Sequence, residues 1–292
     1  MAQYTIKELE HLSGIKAHTL RVWEQRYNIL CPKRTETNIR YYDDADLKAI
    51  LNISLLNERG YKISKIAKMA PEQILQKVQQ LCEEPCRGSH HTNTLVQAMV
   101  DMDEDLFDKT LSTATLQIGF KDTMSEVVYP FLNKIGVLWQ TGNITPAHEH
   151  FVSNLIRQKL IVAIDGQVVR KQEGAPTFIL YLPEGELHEL ALLYMNYILR
   201  AHNKHVIYLG QNLPFKDLEL TYGQFKSSYI CTVLTSAPER DQLQKYLNKL
   251  SDTFSEATIV VYGYLVQSNT SVKLPHNIVH LEKVGDLLLS VK

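Results

Sequence analysis

At 292 residues, with 45% hydrophobic and 22% charged residues, the chain is longer than one ordinary domain and suits two or three, each able to bury its own core. A formal charge of −1 hides an uneven spread, because residues 1–70 hold 12 Lys and Arg against 8 Asp and Glu, a surplus of +4 that leaves −5 for the remainder. No run approaches the roughly 18 apolar residues of a membrane helix, the start Met1-Ala2-Gln3-Tyr4 lacks a signal peptide's apolar core, and the four cysteines at 31, 82, 86 and 231 are too scattered for a disulfide framework; the expectation is a cytoplasmic protein with no membrane partner and a polyanion partner for its basic head.

Thr5 followed three residues later by Glu8 is a capping box, and Ile6, Leu9 and Leu12 then recur at helical spacing. Ser13-Gly14 breaks that helix. Ile15 leads into a second one, with Leu20, Trp23 and Tyr27 on one side and Lys16, His18, Thr19, Arg21 and Gln25 elsewhere. Two short helices about a Gly-containing turn make a helix-turn-helix, although the same spacing also fits a plain helical hairpin. The following segment favours the first: residues 31–42 are turn-rich and basic with aromatics, ending in Arg40-Tyr41-Tyr42, and Asp43-Asp44-Ala45-Asp46 caps a third helix. Trp23, on the apolar stripe, is expected in the core.

A polar linker is expected over 76–91. Its Cys82-x3-Cys86-x3-His90 invites comparison with a metal site, but structural zinc sites usually space their first cysteine pair more regularly, and a helix end running into a linker is the simpler account. Residues 92–169 show helical spacing without strand alternation, as in Leu106, Phe107 and Leu111 and again in Val152, Leu155, Ile156 and Leu160, which predicts a helical bundle. Within it Trp139 precedes Glu149-His150 by nine intervening residues. On spacing alone Trp139 reads as a core residue and the pair as the start of a surface helix.

From about 173 the pattern changes to short apolar runs at 177–182, 205–209, 230–234, 259–262 and 278–281, with amphipathic stretches at 188–202, 215–226, 239–253 and 283–291. That alternation predicts a doubly wound, flavodoxin-like parallel sheet, which binds ligands at the C-terminal ends of its strands. The loop after the first strand contains Glu186-Leu187-His188. A His there has the chemistry of a metal ligand, with a carboxylate two residues earlier to orient it, and a His at a helix start is also commonly a solvated or capping residue. The expected organisation is thus multidomain α and α/β: a winged helix-turn-helix at 1–75, the linker at 76–91, a helical bundle at 92–172 and a Rossmann-like domain at 173–292.

The head resembles the MerR family of transcription regulators in Tyr4-Thr5-Ile6-x-Glu8-Leu9, Thr19-Leu20-Arg21-x-Trp23-Glu24 and Arg40-Tyr41-Tyr42 before an acidic helix start, over about the first 70 residues. The resemblance implies a double-stranded DNA operator read by a homo-oligomer, dimer or tetramer. It sets Lys16, His18, Thr19 and Arg21 of the second helix at the major groove and Arg40 and Tyr42 of the wing on the DNA backbone. Residues 92–292 resemble the cobalamin-binding modules of corrinoid methyl carriers and of CarA/CarH/LitR-like regulators, in Gly136-x2-Trp139, Glu149-His150, Glu186-x-His188 and Tyr208-Leu209-Gly210 ahead of Pro214. By that likeness the cofactor is a cobalamin, adenosylcobalamin favoured, His188 is the lower ligand of cobalt with Glu186 behind it, Trp139, Glu149 and His150 cap the upper face, and Gly210, Thr235 and Gly263 line the cofactor groove. A DNA-binding head points to a regulator rather than a methyl carrier, so no catalysis is implied.

Five departures qualify the likeness. Asn38 replaces the wing's usual Gly; Ala191 stands where the family has Gly three residues after the His; Val233-Leu234-Thr235-Ser236-Ala237 offers only Thr235 where a Ser-x-Leu usually follows the third strand; Tyr264 replaces the second of two glycines; and Gln140 replaces the His that becomes a second axial ligand after light. They leave open a sensor that has lost cobalamin and binds another small molecule or a protein.

Overall fold

The computed structural model describes residues 4–30, 32–34, 40–82, 89–140, 144–170, 174–269 and 271–291. They form two compact units, Met1–Leu155 and Ile156–Lys292. The wing turn with Asn38, and Cys31 and Cys86, lie outside the described residues.

The first unit opens with α1 (Ile6–Ser13), whose capping box is formed by Thr5 and Glu8 as the sequence predicts. Gly14, at φ +75°, turns the chain and donates its N–H to the Glu10 carbonyl before α2 (Ala17–Tyr27). A left-handed backbone at that turn is the conformation glycine adopts without strain. Strands β1 (Lys33–Arg34) and β2 (Arg40–Tyr41) pair antiparallel as the wing, and a bridge between Tyr4 and Tyr42 ties the wing's base to the start of the chain. Asp43 and Asp46 make a second capping box at α3 (Asp44–Glu58). Leu9, Leu12, Leu20, Leu30, Leu47, Ile50 and Leu51 are buried together with Trp23.

Short α4 (Ile63–Ile66) and α5 (Pro71–Cys82) lead to the bundle: α6 (Ser89–Asp101), α7 (Glu104–Ile118), α8 (Phe120–Thr123), a π-helical turn over Met124–Val128, α9 (Tyr129–Gln140) and α10 (Pro146–Asp165). Phe107 and Phe131 pack edge to face at 5.8 Å in its core, alongside Leu95, Met99, Val128 and Val152. His90 is buried here, and burial pulls its imidazole down to about 4, which keeps it neutral. Polar side chains join bundle to head. Lys134 Nζ donates to the Leu12 carbonyl at 2.5 Å and to Asn93 Oδ1 at 2.8 Å, and Gln97 Nε2 donates to Asn52 Oδ1 at 2.8 Å.

The second unit contains β3 (Thr177–Pro183), α11 (Leu190–Ala201), β4 (His205–Leu213), α12 (Phe215–Phe225), β5 (Tyr229–Val233), α13 (Leu243–Thr253), β6 (Thr258–Tyr262), α14 (Tyr264–Gln267), β7 (Ile278–His280), a 3-10 turn and α15 (Leu287–Ser290). All neighbouring strands run parallel, in the order β4-β3-β5-β6-β7. This is the expected doubly wound sheet in its flavodoxin-like order, and the strand order reverses between β3 and β5. β4 extends beyond the expected 205–209 because the β3–β4 register slips by one residue at Tyr181, opposite Gly210, whose φ of +76° accommodates the bulge. The expected helix at 239–253 begins only at Leu243, and the last helix is a 3-10 turn over Val284–Asp286 continued by α15.

Candidate functional site

On α2 the residues expected to read DNA lie on one side of an apolar base. Leu20 and Trp23 are buried, as expected for Trp23, while His18 and Arg21 are exposed and Thr19 is half-buried with its hydroxyl 3.2 Å from His18 Nε2. Lys16 stands exposed at the helix start, paired with Glu10 at 3.0 Å. Arg40 projects from β2 as an exposed guanidinium 3.9 Å from Glu24. Tyr42 corrects the sequence reading. It is fully buried, exchanges backbone hydrogen bonds with Tyr4 at 2.8 and 2.9 Å, and donates its hydroxyl to Glu24 Oε2 at 2.9 Å. Strand β2 ends at Tyr41, so its alternation does not carry on to Tyr42, which pairs instead with Tyr4 in an isolated antiparallel bridge. Burial, reinforced by Glu24, pushes the Tyr42 phenol far above its ordinary range, so it acts as a neutral strut.

In the second unit the topological switch brings together the loops after β3 and β5. Glu186, completely buried, reaches from the first loop into the second. Its Oε2 accepts from the backbone N–H groups of Thr235, Ser236 and Ala237 at 2.7, 2.7 and 3.1 Å, and its Oε1 accepts from Leu187 N, His188 N and Ser236 Oγ at 3.0, 3.1 and 3.1 Å. His188 Nδ1 donates to the same Oε1 at 2.5 Å. Burial opposes ionisation of Glu186, but the hydrogen bonds from His188 and from the Ser236, Ala237 and His188 amides outweigh it and hold the carboxyl well below the usual carboxylate range. A proton held on Nδ1 by a permanent anion makes Nε2 the lone-pair nitrogen, and the His188 side chain is 59% exposed. An imidazole oriented in this way can offer Nε2 to a metal that takes nitrogen ligands.

Using the Leu187 and His188 amides to hold Glu186 delays α11, which starts at Leu190 rather than at the expected 188. Glu189 adds a second carboxylate beside the loop, accepting from Tyr208 Oη at 2.9 Å and Gln211 Nε2 at 3.1 Å and pairing with Arg157. Sequence reasoning missed Ser236, Ala237 and this Glu189 group; backbone amides carry no side-chain signature, and Glu189 reads as an ordinary helix-capping acid. Gly263 is explained by packing: at φ +125° a Cβ there lies 2.4 Å from the Leu234 carbonyl oxygen. Tyr264 beside it is 62% exposed and stays out of the core.

Trp139 and Gln140 lie at the end of α9, and their side chains are outside the described residues. Glu149 and His150 open α10 as a partly exposed pair at 2.8 Å, and His148 Nδ1 lies 2.9 Å from Thr145 Oγ1.

A winged helix-turn-helix followed by a helical bundle and a 2-1-3-4-5 parallel sheet defines a DNA-binding regulator with a separate sensor. Residues 4–73 match the model of the MerR HTH family regulatory protein, and residues 92–163 match that of the B12 binding domain. The chain is 30% identical over 274 residues to the HTH-type transcriptional repressor CarH of Myxococcus xanthus, covering 89% of this chain and 88% of CarH. It is 24% identical to the repressor CarA of the same organism, over 88% and 85% of the two chains. In fold, 68% of the chain and 96% of the monomethylamine corrinoid protein of Methanosarcina barkeri superpose with a TM-score of 0.52 at 13% identity. The chain belongs to the MerR-type transcription regulators with a B12-binding domain, the family of CarH and CarA.

Proposed function

We propose that this chain is a regulator that binds a DNA operator as a homo-oligomer and senses a cobalamin, adenosylcobalamin favoured, through His188. The supporting observation is the Glu186–His188 pair: a buried anion held by five backbone amides fixes the tautomer and direction of an exposed imidazole at the switch point of the sheet. Bound there, a cobalamin would supply a cobalt centre able to take an imidazole nitrogen, together with a light-sensitive cobalt–carbon bond. His188 Nε2 would donate to the cobalt, with Glu186 setting its orientation and basicity, and Trp139, Glu149 and His150 are the further residues proposed to hold the cofactor. Arg21 and Arg40 hold phosphates while His18 and Thr19 face base edges. No step in this scheme is catalytic.

A sensor that takes another small molecule or a protein is favoured by Tyr264, a phenol where the family keeps glycine. Mixing the purified full chain with adenosylcobalamin or methylcobalamin in the dark and desalting it separates the two: red protein supports the first reading, and colourless protein selects the second.

A further inference from the structure

We infer that Val22 is the apolar base reader of α2, packing its side chain on the C5-methyl group of a thymine in the major groove; the inference rests on the DNA-binding reading above. Val22 is 49% exposed, yet it sits in the middle of the outward face of the helix. At about 100° per residue, His18, Val22 and Gln25 fall within an arc of roughly 60°, with Arg21 and Arg26 at its edges and Leu20 and Trp23 opposite. All of these neighbours on the outward face are exposed, and all are polar or cationic. A β-branched residue is a poor choice for an exposed helix interior, because it gives up χ1 freedom and leaves apolar surface in water, so helix stability does not account for it. Packing does not account for it either, since the base of the helix is already filled by Leu20 and Trp23.

The position matches the chemistry of the surface that α2 faces. Every donor and acceptor on a major-groove edge is polar, and the thymine methyl is the one apolar feature it offers. Arg21 next to Val22 and Arg26 one turn on set the helix against the phosphates on either side, and phosphate contacts fix register without reading sequence. His18 and Gln25, a turn before and after, flank Val22 with hydrogen-bonding groups. A methyl-to-isopropyl contact between them discriminates thymine from cytosine, which has no methyl, without using a hydrogen bond.

The test uses the full chain and a duplex enriched by it from a random-sequence library. Each thymine of the enriched half-site is replaced in turn, symmetrically, by deoxyuridine, which lacks only the C5-methyl. For wild type, one such replacement is expected to weaken binding about tenfold, the loss of a buried methyl in each of two half-sites. Val22→Ala should bind the thymine and deoxyuridine duplexes within twofold of each other while keeping the wild-type salt dependence, and Val22→Ile should retain the preference. If no single deoxyuridine weakens wild type, or if Val22→Ala keeps the full preference, the assignment is overturned. Failure to enrich any duplex is a different result, which overturns the DNA-binding reading itself.

Discussion

Helix α2 holds its polar side chains out in water on an apolar base, whereas the loop after β3 buries one carboxylate completely and uses it to hold an exposed imidazole. On the proposed function, the difference follows from the ligands. A DNA backbone is a diffuse line of charge, met by several cations that each contribute a little and tolerate loose placement. A coordinate bond needs one atom in one direction, and direction is supplied by a rigid neighbour rather than by the ligand residue itself. Single substitutions should therefore be graded and small at the DNA face, and largest in the sensor at the one aimed imidazole.

The sharpest break of that contrast is His188→Ala, expected to abolish cobalamin retention through desalting, with affinity falling by more than about 100-fold. A variant that keeps the cofactor with an unchanged visible spectrum removes the aimed imidazole from the scheme.

Glu186→Gln should act on both binding and stability. An amide offers one acceptor oxygen, and its NH2 group would face the N–H donors of Thr235, Ser236 and Ala237 or of Leu187 and His188. A loss of about 2–3 kcal/mol in urea unfolding is expected, with a drop in cobalamin affinity smaller than that of His188→Ala. Because the folded carboxyl is held below its ordinary value of 4.5, its stabilisation is fully present above that pH and is lost as pH falls below it. Wild-type unfolding free energy should decline through that acid range more steeply than that of the variant.

Smaller effects are expected on the DNA side. Arg21→Ala and Arg40→Ala should each weaken operator binding and reduce the slope of log affinity against log salt by about 0.9, one phosphate contact apiece. Tyr42→Phe, by contrast, should leave that slope unchanged and cost about 1 kcal/mol of stability, since its hydroxyl serves Glu24 and not a phosphate. A slope altered by Tyr42→Phe would return Tyr42 to the interface.

The smallest expected change is spectroscopic. Illuminated wild type loaded with adenosylcobalamin should show no bis-imidazole spectrum arising from position 140, because glutamine has no imidazole nitrogen, whereas Gln140→His should gain one. A bis-imidazole spectrum in wild type that survives removal of both His148 and His150 would contradict this.

Local patterns in the chain determined most of the architecture. The capping boxes at Thr5–Glu8 and Asp43–Asp46, the glycine break at Gly14, the five β-rich runs and the helical spacing between them are each written within a few consecutive residues, and local backbone preferences act at that range. The pairing of Glu186 with His188 was legible for the same reason, the two being two residues apart in a loop after a strand, whereas the role assigned to them came from the family resemblance. Tertiary structure alone decided which side of the wing faces the core, burying Tyr42 through its bridge to Tyr4, 38 residues away in sequence but adjacent in space. It alone supplied the Ser236 and Ala237 amides that hold Glu186 across the switch point, and the close approach of Gly263 to Leu234. A backbone N–H is the same in every residue but proline, so its use as a donor cannot be read from a one-letter string; it exists only where parallel strand order brings two loops together.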